Sequence, residues 1–240
     1  MLPIVSIASA ICALISAVVT VRLMQMRHQH TSDALRLFVA WFWVLTVMFA
    51  VYALPELLVR TGAGNAVVDF LGSVIVYASC VILIQIPAVF LNRREAGVVA
   101  GIIITTIGLV YCIGIVLSPE ASIRETFGPY VFWWPQTSQW LRAMTGIVAG
   151  ITTFSFVLTF FLLGVRAHSD KIVRRRSFSM AGGMLALLIT AVSVLTTTGA
   201  HTAFDITRLI MGAVLMVLGT SLLYYSLLSI PSDNANSTTS

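Results

Sequence analysis

The stretch Arg166-Ala167-His168-Ser169-Asp170-Lys171-Ile172-Val173-Arg174-Arg175-Arg176 decides how this chain is arranged. It contains five of the fourteen Lys and Arg residues, including the only lysine, and it lies between two long apolar runs. Each of these charges would cost roughly 2.5–3.5 kcal/mol in hydrocarbon, so the stretch must lie in water. Connections rich in Lys and Arg stay on the cytoplasmic side of a membrane. The stretch therefore fixes the side of every other connection.

The composition is that of an integral membrane protein. The chain has 240 residues, of which 58% are hydrophobic and only 10% are charged, and its mean hydropathy is +0.97. An ordinary soluble domain has about 25% charged residues. The formal net charge of +5 does not predict a nucleic-acid partner, because the position of the charges matters more here than their sum.

Seven apolar runs are long enough to cross a membrane, which takes about 20 residues for a helix. We predict an all-α, polytopic seven-transmembrane helix bundle over residues 1–231, in which sequential helices are antiparallel neighbours. A disordered cytoplasmic tail is expected at 232–240, where the sequence is polar and patternless. The predicted helices are 3–23, 36–58, 67–91, 97–118, 140–165, 178–198 and 204–228.

The basic residues divide unequally between the two sides. The odd-numbered connections contain ten of them, namely Arg22, Arg27, Arg36, Arg93, Arg94, Arg166, Lys171, Arg174, Arg175 and Arg176. The even-numbered connections contain four, namely Arg60, Arg124, Arg142 and Arg208. This bias predicts an outside N-terminus and an inside C-terminus in the plasma (cytoplasmic) membrane. The longest outer connection, 118–139, is crowded with aromatic residues and is expected to lie flat on the membrane or to fold over the bundle mouth.

A candidate ligand site lies at the predicted outer helix ends. In the seventh helix, His201, Asp205 and Arg208 are spaced i, i+4 and i+7, so they share one face. Such a ring would bind a small polar or charged ligand at the bundle mouth. The alternative is that these residues cap helices and meet water at the interface. The candidate residues are Glu56, Arg60, Asp69, His201, Asp205 and Arg208, with Asp69 placed near the start of the third helix.

Inside the predicted membrane, Tyr77 and Gln85 are the polar side chains of interest. We expect Gln85 to hydrogen-bond across helices, since a glutamine facing lipid would be unsatisfied. Pro87 follows it and frees a backbone carbonyl for such a partner. The glycine pairs Gly101/Gly108 and Gly212/Gly219 are expected to serve packing.

No catalytic residue, metal site or cofactor is predicted. There is no nucleophile–base pair and no HExxH-type helix. Lys171 is the only lysine and lies in a connection, which excludes a Schiff base inside the last helix. Every Asp and Glu is placed at a helix end or in a connection, which argues against proton-coupled transport through the midplane.

The basic stretch has two interpretations. Arg166, Lys171, Arg174, Arg175 and Arg176 would attract anionic lipid headgroups or dock an acidic partner, at about 1 kcal/mol for each charge near the surface. The alternative is that they only repeat the orientation signal that the other inner connections already provide.

Two segments resemble the N-terminal seven-helix sensor region of bacterial membrane histidine kinases. The first runs from Arg36-Leu37-Phe38 through Pro55-Glu56-Leu57-Leu58, and the second from Thr159-Phe160-Phe161 through Tyr224-Tyr225 to Ile230-Pro231. Members of that family usually continue into a kinase module, whereas this sequence ends nine residues after Pro231. The resemblance implies membrane sensing through a membrane or cytoplasmic signalling partner, without phosphotransfer. A non-catalytic accessory subunit, or a small-solute transporter, stays the alternative.

Overall fold

The computed structural model describes residues 2–29, 32–59, 61–117, 122–134, 137–196 and 202–228, without the side chains of residues 28, 29, 56, 195 and 228. Within these ranges the chain forms seven α-helices and one β-hairpin. All seven helices are long and apolar enough to cross a membrane, so the protein is a multi-pass helical bundle. The helices are α1 (Ile4–Gln29), α2 (Asp33–Leu57), α3 (Gly62–Phe90), α4 (Arg94–Leu117), α5 (Gln139–Arg166), α6 (Lys171–Thr196) and α7 (Ala203–Leu228). The strands are β1 (Ile123–Phe127) and β2 (Tyr130–Trp134).

Several helices begin at side chains that cap them. The Ser32 hydroxyl accepts from Leu35 N and starts α2, and the Thr61 hydroxyl accepts from Gly64 N and starts α3. The Asp170 carboxylate accepts from Ile172 N at 2.9 Å and Val173 N at 3.0 Å, and α6 begins just after it. These bonds satisfy amide groups that the first helical turn leaves open.

The structure corrects three predicted boundaries, two of which are capped helix starts. The third helix starts at Gly62 rather than at residue 67, and the sixth starts at Lys171 rather than at 178. Residues 171–176, which were predicted to be loop, are therefore the first turns of α6. The first helix continues past Arg22 and Arg27 to Gln29, because a helix does not have to stop where the hydrocarbon stops.

Six helices form a closed ring, and α4 lies outside it. Going round, α1 packs on α2, α2 on α3, α3 on α5, α5 on α6, α6 on α7, and α7 on α1. The remaining helix, α4, packs on α3 and makes little contact with α5. The prediction that sequential helices are neighbours therefore holds least well for α4 and α5, which meet where Gly114 faces Leu141. The intervening 21-residue connection, 118–138, is long enough to let them part.

Large apolar side chains fill the ring in the half nearer the Lys/Arg-rich connections. Trp41, Phe42 and Phe156 are at most 1% exposed. The rings of Phe156 and Phe160 lie 4.4 Å apart, and Phe38 meets both edge-on. The indole of Trp41 donates to the Ser79 hydroxyl at 3.0 Å and so ties α2 to α3 inside this cluster. We call it the aromatic cluster.

Glycines bring α6 and α7 into backbone contact. A Cβ added to Gly183 would lie 2.8 Å from the Gly219 carbonyl oxygen, and one added to Gly219 would lie 2.7 Å from that of Gly183. Next to this contact, the Thr190 hydroxyl donates to the Gly212 carbonyl at 3.0 Å. Gly101 and Gly108 similarly face Gln85 and Tyr77 of α3. The predicted pairs Gly101/Gly108 and Gly212/Gly219 therefore both serve helix packing within the chain.

Replacing Gly183 by Ala should destabilise the bundle, while replacing its neighbour Gly182 should not. Gly182 has no atom within 4 Å of an added Cβ, so Gly182→Ala should be neutral or slightly stabilising through helix propensity. Gly183→Ala forces α6 and α7 apart, and overpacking of this kind costs roughly 1–3 kcal/mol. Thermal unfolding of both variants in one detergent measures the difference. Equal Tm values would contradict the backbone contact.

Candidate ligand-binding site

A cavity lies at the end of the bundle where α2, α4 and α6 finish and α3, α5 and α7 begin, which we call the hairpin end. Its volume is about 250 Å³, just below the roughly 300–1,000 Å³ of pockets that hold drug-sized ligands. All seven helices and β2 contribute to its wall, so a ligand there would touch the whole bundle. Its lining residues are Val5, Ser6, Tyr52, Pro55, Asp69, Ser73, Tyr111, Phe132, Trp133, Trp134, Thr137, Arg142, Thr145, Val194 and Leu209.

The β-hairpin closes over this cavity. Of the two predictions for the 118–139 connection, folding over the bundle mouth therefore applies to the described part of this connection, and lying flat on the membrane does not. Phe132 and Trp134 of β2 are buried against Ile206 and Leu209 of α7. The two-residue loop between the strands has Gly128 at φ +56°, the arrangement for which glycine is preferred in hairpin turns. The hairpin itself was not predicted, because its sequence lacks a polar–apolar alternation on both strands.

Backbone hydrogen bonds fasten the hairpin to two helices. Leu2 donates to Pro129 O at 2.6 Å and its own carbonyl accepts from Val131 N at 3.4 Å, just before α1 begins. On the other edge, Ser122 N donates to Gly62 O at 3.3 Å at the start of α3. The hairpin is therefore a clamped cover rather than a free loop.

Asp69 is the acidic residue of the cavity wall. It lies seven residues after Gly62, about 10 Å into α3 at 1.5 Å per residue. The Ser122 hydroxyl donates to Asp69 Oδ2 at 2.6 Å and adds a side-chain bond between the hairpin segment and α3. Asp69 was predicted to lie near the helix start. Its position two turns into α3 makes it part of the cavity wall rather than a cap at the start of the helix.

Hydroxyl groups continue this polar surface along α3. Ser73 and Tyr77 follow Asp69 at i+4 and i+8 and so lie on the same face. The Ser73 hydroxyl bonds to Tyr111 OH of α4 at 2.9 Å, and Tyr77 OH bonds to Thr145 Oγ1 of α5 at 3.1 Å. Tyr77 is 4% exposed, and these two bonds join α3 to α4 and α5.

Arg142 brings the opposite charge to the same cavity. It lies in the first turn of α5, and its Nε donates to the Thr137 carbonyl at 2.9 Å. A guanidinium has five N–H donors, and Arg142 makes a further interaction besides this bond while its side chain lines the cavity. In the sequence, Arg142 stands out only as a charge in an outer connection.

The predicted ring of outer residues is divided by the fold. Asp69 lines the cavity, but Asp205 does not. Its carboxylate accepts from Thr202 N at 3.1 Å and from the Thr202 hydroxyl at 2.8 Å, which is a helix-capping arrangement at the start of α7. Arg208 donates to the Thr196 hydroxyl and stacks over Phe204. Arg60, His201 and the side chain of Glu56 lie outside the described residues.

Gln85 does not make the predicted bond across helices. Its amide nitrogen donates to Val81 O of its own helix at 3.1 Å. The amide still faces α4, since a Cβ on Gly101 would lie 3.8 Å from Gln85 Nε2. Glycine removes the side chain that would have supplied a partner, so the amide turns back to its own backbone.

The predicted basic residues all gather at the opposite end, which we call the arginine-rich end. The cations of α6 lie at this end together with Arg22 and Arg27 of α1, Arg36 of α2 and Arg166 of α5. Arg175 stacks on Tyr225 of α7 at 5.1 Å, and Arg94 pairs with Asp33 at 2.5 Å across α4 and α2. The acids at this end within the described ranges are Asp33, Glu95 and Asp170, against ten Lys and Arg residues.

The described wall of the cavity combines charged, hydroxyl and aromatic side chains. One carboxylate, one guanidinium, several hydroxyls and five aromatic rings, two of them the tyrosine rings, face a common space. Within the described ranges no three His, Cys, Asp or Glu side chains are close enough to hold a metal. The sequence analysis missed Tyr52, Ser73, Tyr111, Arg142 and Thr145. The spacing of Asp69, Ser73 and Tyr77 along one helix face was the signal that would have indicated α3.

Replacing Ser122 by Ala should loosen the hairpin. The variant loses the hydroxyl bond to Asp69, and side-chain hydrogen bonds contribute roughly 0.5–3 kcal/mol depending on charge. We expect faster amide hydrogen exchange over β1, measured by mass spectrometry in a nanodisc. Thr126→Ala is the matched control, because Thr126 is exposed on the same strand. Equal exchange in both variants would contradict the proposed fastening.

Comparison with known proteins adds no assignment to this geometry. The chain matches no protein-family model, no curated protein and no solved structure.

Proposed function

We propose that this protein is a receptor-like membrane module that binds a small molecule in the hairpin-end cavity and acts through a partner protein. The observation that carries the proposal is the cavity itself, because every helix contributes to its wall. A ligand that fills it would change the packing of the whole bundle, including helices that reach the arginine-rich end. A ligand shifts a protein between states only by its differential affinity for them, and a shared wall provides such a difference.

The half of the bundle nearer the arginine-rich end favours sensing over transport. The aromatic cluster, with Trp41, Phe42 and Phe156 almost fully buried, fills the ring between the cavity and the arginine-rich end. A transporter needs polar groups or interrupted helices near the midplane for its substrate and coupling ion. The largest side chains buried in this cluster are apolar, and the described polar groups among them, such as the Ser79 hydroxyl, are neutral. The absence of a described charged group there favours a binding role at one side of the membrane over ion-coupled transport.

The arginine-rich end is the part that would meet a partner or the lipid surface. Lys171, Arg174 and Arg175 lie exposed on the first two turns of α6, where the helix holds them in fixed directions. Anionic lipid headgroups attract such charges, and so does an acidic protein surface. The likeness to sensor regions of membrane histidine kinases supports a signalling partner.

An accessory-subunit role is the alternative, and α4 favours it. This helix is the least buried of the seven and packs mainly on α3. Its outward face carries Val99, Ile102 and Ile103, each more than half exposed. Lipid covers such a face in a lone bundle, whereas a helix of another membrane protein would cover it in a complex.

We expect the arginine-rich end to be cytoplasmic and the hairpin end to be outside, in the cytoplasmic membrane. The reason is the excess of Lys and Arg at one end. Reporter fusions after Asn92 and after Asp170 should give a cytoplasmic signal, and a short epitope tag inserted at Gly128 should be accessible to an antibody from outside. Gly128 is exposed in the turn, and a short tag disturbs the adjacent Leu2–Pro129 bond less than a folded reporter would. A cytoplasmic signal from the hairpin would overturn the whole arrangement.

Coupling between the two ends can be measured by cross-linking in cells. A photoreactive residue at Ile172, which is 49% exposed among the α6 cations, should capture a partner protein. If the cavity controls that contact, Asp69→Asn should change the yield at least about fivefold, the lower end of typical allosteric coupling. Glu125→Gln removes the same charge at the same end, outside the cavity wall, and should have no effect. A yield that neither variant changes would favour the accessory-subunit role.

A further inference from the structure

Among the described residues of the cavity wall, one side chain is negative and one is positive, namely Asp69 and Arg142. They come from different helices, α3 and α5, which pack against each other. The other polar groups of these lining residues are neutral hydroxyls and indole N–H groups. A ligand that carries both signs of charge therefore matches these two side chains.

Asp69 is placed to accept from a ligand as well as from the protein. Ser122 donates to its Oδ2 at 2.6 Å, and a carboxylate accepts at about four lone-pair sites. Ser73, one turn further along α3, adds a hydroxyl to the same wall. An ammonium group has three donors, which these oxygens would satisfy. The carboxylate is thus a site for the positive end of a ligand.

The hairpin supplies the apolar part of the cavity. Phe132, Trp133 and Trp134 face it from β2, and Tyr52 faces it from α2 with its ring against Gly72. Aromatic faces of this kind bind apolar groups and also tolerate a nearby cation. In the described part of the chain, the enclosed indole nitrogen of Trp134 has no hydrogen-bond partner, so it is a further donor beside the cavity.

Charge balance separates the possible ligand classes. A simple amine would satisfy Asp69 but would bring a second positive charge close to Arg142. A simple carboxylic acid would pair with Arg142 but would bring a second negative charge close to Asp69. Like charges brought together in a partly dehydrated site cost several kcal/mol at low effective dielectric. A molecule that has both an ammonium group and a carboxylate avoids both like-charge repulsions.

Resting on the proposed function, we propose that the ligand is a small zwitterion of the α-amino-acid type with an apolar side chain. Its ammonium group binds Asp69, its carboxylate lies toward Arg142, and its side chain lies beneath the aromatic rings of β2. The cavity volume of about 250 Å³ limits the ligand to a free amino acid or a molecule of similar size.

Matched ligand series test this assignment on the wild-type chain. The full chain in nanodiscs is titrated with leucine and phenylalanine by calorimetry and by thermal shift. Each is compared with its decarboxylated amine, 3-methylbutylamine or phenethylamine, and with its deaminated acid, 4-methylpentanoate or 3-phenylpropionate. We expect one or both amino acids to bind at least tenfold more tightly than either counterpart. Equal binding of the amine or the acid would overturn the zwitterion, as would no binding of any probe at millimolar concentration.

Two variants assign the two ends of the ligand. Asp69→Asn should weaken the amino acid at least tenfold and abolish its advantage over the deaminated acid. Arg142→Gln should abolish its advantage over the amine. Arg124→Gln and Glu125→Gln remove the same charges from β1, outside the cavity wall, and should leave binding unchanged. If a cavity variant fails to fold, the wild-type series still decides.

Failure of this inference and failure of the proposed function give different results. Ligand binding is measured on the isolated chain and needs no partner, whereas the cross-link from Ile172 is measured in cells. Amino-acid binding without a cavity-dependent cross-link would leave a binding protein that does not signal. A cavity-dependent cross-link without amino-acid binding would leave a receptor for another class of ligand.

Discussion

A hydroxyl or amide group surrounded by hydrocarbon must form a hydrogen bond. In this bundle that requirement decides which side chains are available to join neighbouring helices. Most described hydroxyl groups solve it within their own helix. Those of Thr46, Thr105 and Thr159 donate to the carbonyl four residues earlier. Such bonds satisfy the group but do not join helices. Helix association then depends on packing, as expected where lipid removes the hydrophobic drive between helices.

Three of the hydrogen bonds that do join helices involve α3, and each goes to a different neighbouring helix. Ser79 accepts from Trp41 of α2, Ser73 pairs with Tyr111 of α4, and Tyr77 pairs with Thr145 of α5. Since α3 also packs against all three of these helices, it is the element through which a change at the cavity would reach its neighbours. The glycine contact between α6 and α7 instead holds these two helices together, because backbones in direct contact leave the helices little room to move relative to each other.

The sequence predicts the number of helices and their approximate positions, because twenty apolar residues in succession have few other uses. Helix ends were less certain, since caps such as Thr61 and Asp170 extend helices into polar sequence. That error placed Asp69 near a helix end and hid its position in the wall. The packing of α3 on α5, which brings Asp69 and Arg142 to one cavity, depends on three-dimensional neighbours that hydropathy does not report. Gln85 likewise turned inward because its facing residues are glycines.

The hydrogen bonds of Leu2 have a practical consequence for anyone who handles this protein. Leu2 lies alongside β2 through a single parallel bridge to Tyr130, so the segment just before α1 is part of the roof of the cavity. A purification tag or fluorescent protein joined directly before Leu2 would emerge next to Pro129 and press on the hairpin. A fusion at that position would thus report on a disturbed roof.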